Sequence, residues 1–278
     1  MSGPFRLNIG RRLARYLSAP IPGYEPFCTY DVPVLEAHLQ PADILLVEGD
    51  TRISTAIKYL TQSTWSHSAF YAGDATGVFT EDGEPCPLVE AELAHGVIAS
   101  PLSKYRAFNT RICRPVGLTV EDRDTVVNSM VDSIGLGYDL KHIFDLARYL
   151  LRTPPIPIRY RRRMLAFGSG DPSRAICSTL IAETFQSIRY PILPRVEKKK
   201  TVISKYHNRR LQISLYHYSV QEILHIRHHS LFTPRDFDVS PYFKVIKPTV
   251  ETGFDYRKLR IEDSSEADAA GAADASTQ

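Results

Sequence analysis

Apolar residues in this chain fall into short runs through the first half of the sequence, with helical stripes before and after them. Asp43-Ile44-Leu45-Leu46-Val47-Glu48, bounded by Pro41 and Gly49-Asp50, is a compact apolar run of the kind that forms a buried strand. The period then changes. Ile53, Ala56, Ile57 and Leu60 share one face of a helix predicted over 51–61, with Thr51 or Ser54 as its cap. His67-Ser68-Ala69-Phe70-Tyr71-Ala72 ends at Gly73-Asp74 and predicts a second strand, opened by its histidine.

Glycines, acids and prolines between Gly73 and Pro87 predict an exposed loop. Leu88 to Glu92, Gly96 to Ser100 and Asn109 to Arg114 then read as three further strands, and so many short strands in succession predict an antiparallel meander. Helical spacing returns over 119–134, where Val120, Val127, Met130, Val131 and Ile134 form a stripe, before the turn at Gly135-Leu136-Gly137. A last helix is predicted from about Arg174 to Ile188, with Ile176, Leu180, Ile181 and Phe185 on its inner side and Asp171 and Ser173 ahead of it as caps. Cys177 falls in its first turn.

Outside this pattern lie three segments of different character. Phe5, Ile9, Leu13 and Leu17 recur every fourth position among Arg6, Arg11, Arg12 and Arg15, which predicts a basic amphipathic helix suited to its own domain or to an anionic lipid surface. Pro20, Pro22, Gly23 and Pro26 form a linker behind it. The stretch from Arg195 to His229 holds Lys198-Lys199-Lys200 and Arg209-Arg210 and reads as a solvated basic face. The last eighteen residues, rich in Ala, Ser and acids, predict disorder. The expected organisation is thus an N-terminal extension over 1–26, a catalytic domain over 27–250 with a basic insertion around 195–230, and an acidic tail over 251–278.

Composition narrows the function classes. A chain of 278 residues with 43% hydrophobic and 23% charged residues can bury a full core. Its net charge of +3 is shifted by the five acids after Ile261, so the rest is more basic and suited to anionic partners. Cys28, Cys86, Cys113 and Cys177 lie far apart, which argues against a disulfide framework. No window approaches the roughly 20 apolar residues of a membrane span, and no signal peptide is recognisable, so a cytoplasmic protein is expected, with the basic N-terminus able to meet a membrane. His225, His228 and His229 suggest a metal, but no acid or cysteine completes a zinc spacing, and no metal or cofactor is expected. The basic run at Arg159 to Arg163 has too few aromatics between its charges to predict nucleic-acid binding.

The candidate chemistry is a histidine that precedes its cysteine. Only adjacency in space matters to a thiol nucleophile and its base, so the order His67 then Cys177 is compatible with a permuted chain. A cysteine in the first turn of a helix sits where unpaired N–H groups and the helix dipole favour a thiolate, and the N–H of Cys177 or Ser178 can receive an oxyanion. A catalytic imidazole also needs an orienting group on its second nitrogen. Glu90, an acid inside an apolar strand, is the preferred candidate, and Glu92 has the same strand parity.

These segments resemble, in order, a known family. Pro41 to Val47, Ile53 to Lys58, Trp65-Ser66-His67-Ser68 through Gly73, Val89-Glu90-Ala91, Gly96-Val97, Pro101-Leu102, Gly137-Tyr138-Asp139 and Cys177 to Phe185 are similar to the permuted papain-like amidases, the YiiX/YaeF-like branch of the NlpC-type thiol hydrolases. Thr233-Pro234-Arg235-Asp236-Phe237 with Ser240-Pro241 resembles the family's closing motif. The resemblance implies an α+β, circularly permuted papain-like fold, an antiparallel sheet packed on helices that include the nucleophile helix. It implies Cys177 as nucleophile, His67 as base and Glu90 as third member, with Ser66, Ser178 and Tyr138 as substrate contacts, acting on an amide bond in a peptide or a lipid-linked amide. Ala42 stands where the family has Gly beside Asp43, and Thr179 where an acid follows Cys-Ser. Two other readings use the same residues: a lipid-directed thiol acyltransferase or acyl hydrolase, and a non-catalytic module that binds ligands in the same cleft.

Overall fold

The structure is a computed structural model, and it describes residues 16, 19–21, 23–26, 29–92, 95–137, 177–208, 213–225, 228–255 and 257. The chain forms two units, Met1–Ile246 and Lys247–Gln278. In the first, helix α1 (Val32–His38) leads into strand β1 (Ile44–Val47), helix α2 (Arg52–Thr61) and strands β2 (His67–Tyr71), β3 (Leu88–Glu92), β4 (Gly96–Ser100) and β5 (Thr110–Pro115). Helix α3 (Val120–Asp132) and helix α4 (Cys177–Ser187) follow, then a hairpin of β6 (Arg195–Asn208) and β7 (Ile213–His225), helix α5 (Pro234–Asp238) and β8 (Phe243–Ile246). The second unit contributes the short helix α6 (Pro248–Glu251). The basic helix over 5–17 and the tail beyond 257 lie outside the described residues.

Six strands form one antiparallel sheet in the order β4-β3-β2-β1-β5-β8. The predicted meander therefore holds only for β1 to β4. β5 returns to the other side of β1, pairing Ile44 with Cys113 and Val47 with Thr110, and β8 adds beyond it. This crossover places β1 inside the sheet with both faces covered, which is why Ile44 to Val47 is apolar without alternation. Ile44 and Leu46 face a layer containing Val126, Val127, Met130, Ile181 and Phe185 of α3 and α4. Leu45 and Val47 face Leu35 of α1 and Leu102 and Tyr105 of a 3-10 turn, Leu102–Tyr105.

Local chemistry explains the element ends. The Thr51 hydroxyl caps α2 by accepting from the Ser54 N–H, and Thr119 caps α3 through Asp122. The stripe predicted for α3 faces the core at Val127, Met130, Val131 and Ile134, but Val126 joins it fully buried and Val120 is 59% exposed. The predicted loop after β2 is an ordered turn, with a 3-10 segment Gly73–Thr76 and a small hairpin closed by a Phe79–Pro85 bridge. The Arg195–His229 stretch, expected as a basic face, contains the long β6–β7 hairpin, paired from Arg195↔His225 to Asn208↔Ile213 with a register shift between Val202 and Ser204. On either side of that hairpin single apolar residues return to the core, Ile192 before it and Phe232 after it, in the layer that includes α3 and α4. No described helix is long and apolar enough to cross a membrane.

Candidate active site

β2 and β3 pair at only two positions, Phe70↔Val89 and Tyr71↔Leu88. β2 nevertheless runs back to His67 and β3 runs on to Glu92, so the two strands part over the segments that carry the candidate residues. In β2 the Tyr71 N–H donates to the carbonyl of Asp43, the residue just before β1, at 2.8 Å. Antiparallel alternation then turns the Ser68 N–H away from β1 and into the gap left by β3. Cys177 Sγ, brought by α4 from one face of the sheet, accepts that N–H at 3.3 Å.

His67 occupies the first position of β2, and its side chain is 22% exposed, enough to be reached from solvent. Its Nε2 lies 2.5 Å from Glu90 Oε2, which leaves Nδ1 as the second ring nitrogen available to the neighbouring Cys177 sulfur. Burial pushes the imidazole pKa down, but the neighbouring Cys177 sulfur and the Glu90 carboxylate outweigh it and carry the value up to about 10. For Cys177 burial acts upward, and the His67 imidazolium together with Ser68 brings the thiol below its ordinary value. Both directions favour the same state, a thiolate beside an imidazolium.

Glu90 is fully buried at its side chain and accepts from three groups. Oε2 takes the His67 ring and the Tyr105 hydroxyl, and Oε1 takes Lys104 Nζ at 2.6 Å. Burial opposes its charge, yet His67 and Lys104 hold the carboxyl well below the usual carboxylate range. The same carboxylate keeps the Tyr105 hydroxyl protonated far above the usual phenol range, after burial itself. Glu92, which shares the strand parity of Glu90, is instead paired with Lys104 at 2.6 Å and His95 at 2.9 Å. The acid that meets the His67 ring is therefore Glu90.

Cys86 and Cys113 supply internal contrast. Both are buried, and burial raises both thiols instead of lowering them. Cys177 is distinguished from them by its partners. Among the described residues no group of three or more His, Cys, Asp and Glu side chains could hold a metal ion.

No family model matches this chain, and no curated protein matches it. Among solved structures it is similar to the crystal structure of the metalloprotein yiiX from Escherichia coli O157:H7, with a TM-score of 0.41 and 16% identity over 75% of this chain and 96% of that chain.

The remaining expected site residues separate. Ser66 is buried and its hydroxyl accepts the Gly49 N–H at 2.9 Å, so it ties the end of β1 to the start of β2. A Cβ on Gly49 would stand 3.0 Å from that hydroxyl and 2.3 Å from Ser54 Oγ, which accounts for glycine there. Ser178 is also buried, and its hydroxyl donates to the Phe232 carbonyl at 2.9 Å, anchoring α4. Tyr138 lies outside the described residues, as do Asp171 and Ser173. Two contributors escaped the sequence reading: Lys104 and Tyr105. Their only signal was the Pro101-Leu102 motif just ahead of them.

One more cluster steadies the approach to His67. Trp65 Nε1 donates to Asp238 Oδ2 at 3.0 Å, and Arg111 pairs with Asp238 Oδ1 at 2.6 Å while lying 4.9 Å from the Trp65 ring centre. The expected closing motif thus reaches the site through Trp65. Thr233 and Asp236 form the capping box that starts α5 and carries Asp238 to this position.

Proposed function

We propose that the protein is a cysteine hydrolase that cleaves an amide bond, in a peptide or a lipid-linked amide, through Cys177, His67 and Glu90. The reading rests on one observation: a buried thiol that accepts at 3.3 Å the N–H of Ser68, next in sequence to an imidazole whose Nε2 is held 2.5 Å from a buried carboxylate. This is the relation of nucleophile, base and orienting group that thiol catalysis requires.

In the first step the Cys177 thiolate attacks the carbonyl carbon, forming the C–S bond. Collapse of the tetrahedral adduct breaks the C–N bond, and the His67 imidazolium gives its proton to the leaving amine. Water, deprotonated by the now neutral imidazole, then attacks the thioester, breaks the C–S bond and restores the ion pair. Glu90 stays ionised throughout and holds the ring.

Treating the folded protein with iodoacetamide and mapping peptides by mass spectrometry is the direct check. Cys177 should react ahead of Cys28, Cys86 and Cys113, Cys177→Ala should remove the signal, and His67→Ala should slow it by about a hundredfold or more. Equal labelling of all four cysteines would sink the proposal. Product analysis on peptide and N-acyl amide panels in H2-18O should place one heavy oxygen in the released acid. Acyl transfer without that label would reassign the enzyme as a transferase.

A further inference from the structure

The thiol-imidazole pair is supported from behind by a cation that the reaction does not use. Glu90 is a charge with no exposed side-chain surface, and such a group takes up a proton unless donors and an opposite charge surround it. His67 and Tyr105 both bind Oε2, whereas Oε1 accepts from Lys104 Nζ at 2.6 Å. Lys104 is fixed at a second point by Glu92 Oε1, also at 2.6 Å, and Glu92 in turn pairs with His95. Its ammonium lies 5.4 Å from the Tyr105 ring centre. The groups facing Glu90 are thus His67 from β2, Lys104 and Tyr105 from the 3-10 turn, Glu92 from its own strand, and Cys177 from α4 beyond the imidazole.

The turn that carries Lys104 does not depend on it. Leu102 is buried beneath the sheet, and Glu84 accepts the Ser103 hydroxyl at 2.7 Å and its N–H at 3.3 Å. Lys104 itself is one-third exposed. It is a replaceable side chain on an independently anchored turn.

We propose that Lys104 is a positioning residue: by pairing with Oε1 it keeps Glu90 ionised, and Glu90 so held keeps the His67 ring aimed at Cys177. The proposal rests on the Cys177–His67 pair of the preceding section. With Lys104 gone, Glu90 loses the cation on Oε1 and holds its charge less firmly, so the His67 imidazolium is held less firmly in turn and the thiolate loses part of its support. Lys104 then acts on the sulfur only through two intermediaries, which is what separates it from a catalytic residue.

The test is the rate of Cys177 alkylation by iodoacetamide between pH 4.5 and 9.5, followed on the Cys177 peptide, with Cys86 and Cys113 in the same digest reporting any loss of fold. Lys104→Met should move the acid limb upward by about one pH unit, cutting the rate about tenfold at pH values well below the limb, and Glu90→Gln should do the same. Lys104→Arg, which keeps the charge, should recover the native profile within about twofold. If Lys104→Met exposes Cys86 and Cys113, Lys104→Gln decides the matter, since it keeps a donor for Oε1 without the charge and should show the same shift. An unshifted limb in a folded Lys104 variant, with a shift in Glu90→Gln, overturns the role of Lys104 alone. No shift in either Glu90→Gln or His67→Ala overturns the thiol-imidazole pair beneath it.

Discussion

At the scale of single residues, the site is a contest between burial and partners. Burial first, with Asp238 beside it, drives Cys113 upward, while the imidazolium and the Ser68 amide turn Cys177 the other way. A pH profile follows from those directions. As pH falls through the lowered Cys177 value the thiolate is protonated, so alkylation declines on the acid side. As pH rises through about 10 the His67 imidazolium loses its proton, so amide hydrolysis declines while alkylation persists. Alkylation should give one rising limb below the roughly 8.5 of a free thiol, and hydrolysis a bell. His67→Ala should move the alkylation limb to that value or above, because burial then acts unopposed. A limb left in place would mean that another group ionises the sulfur. Residue-scale geometry also accounts for one departure from the resembled family. Ala42, where glycine was expected, has φ 77 and is fully buried, a left-handed conformation that costs a residue with a Cβ about 1–2 kcal/mol.

At the scale of elements, α4 is the part on which the position of Cys177 depends. Its inner face carries Ile181, Ala182 and Phe185 into the sheet layer, and the Ser178 hydroxyl fastens its start to Phe232. Phe185 meets Phe70 of β2 with ring centres 6.4 Å apart, and Phe243 of β8 at 5.6 Å, so one side chain joins the nucleophile helix to the His67 strand and to the sheet's far edge. Phe185→Ala should cost about 3–5 kcal/mol in urea unfolding and slow Cys177 alkylation even where the protein stays folded. A stability loss with native alkylation would show that α4 is held by its other contacts. The sequence reading located β3 and β4 to the residue, because their apolar runs end at turn residues. It misplaced Val120 on the inner face of α3, since a helical stripe defines a face but not its limits. It found no strands in 195–225, where β-formers such as Val202, Tyr206, Tyr216 and Tyr218 are diluted by lysines and polar residues.

At the scale of the whole molecule, the site depends on a sheet covered on both faces and opened between two of its strands. α4 delivers Cys177 from one layer, and the turn with Lys104 and Tyr105 supports Glu90 from the other. Stability against acid should report this arrangement. Glu90 is held below its unfolded value of about 4.3, so its contribution is fully present above that pH and is lost as pH falls below it. Urea midpoints should therefore drop below about pH 4.3, and Glu90→Gln should flatten the drop while lowering stability at neutral pH. Parallel curves for the two proteins would place the acid lability elsewhere.

The run of apolar residues at Ile44 to Val47, the helix caps at Thr51 and Thr119, and the marking of His67, Glu90 and Cys177 were all legible in the sequence, because strand burial, capping and helix starts are written in neighbouring residues. The choice of Glu90 over Glu92 was legible only as a preference. Both have the same strand parity, and only the parting of β2 from β3 and the position of Lys104 between the two acids determine which one meets the imidazole. Nor could the sequence assign Lys104 and Tyr105 to the site, or place β5 beside β1. Those relations join residues distant along the chain, and they are set by which surfaces bury together when the sheet closes.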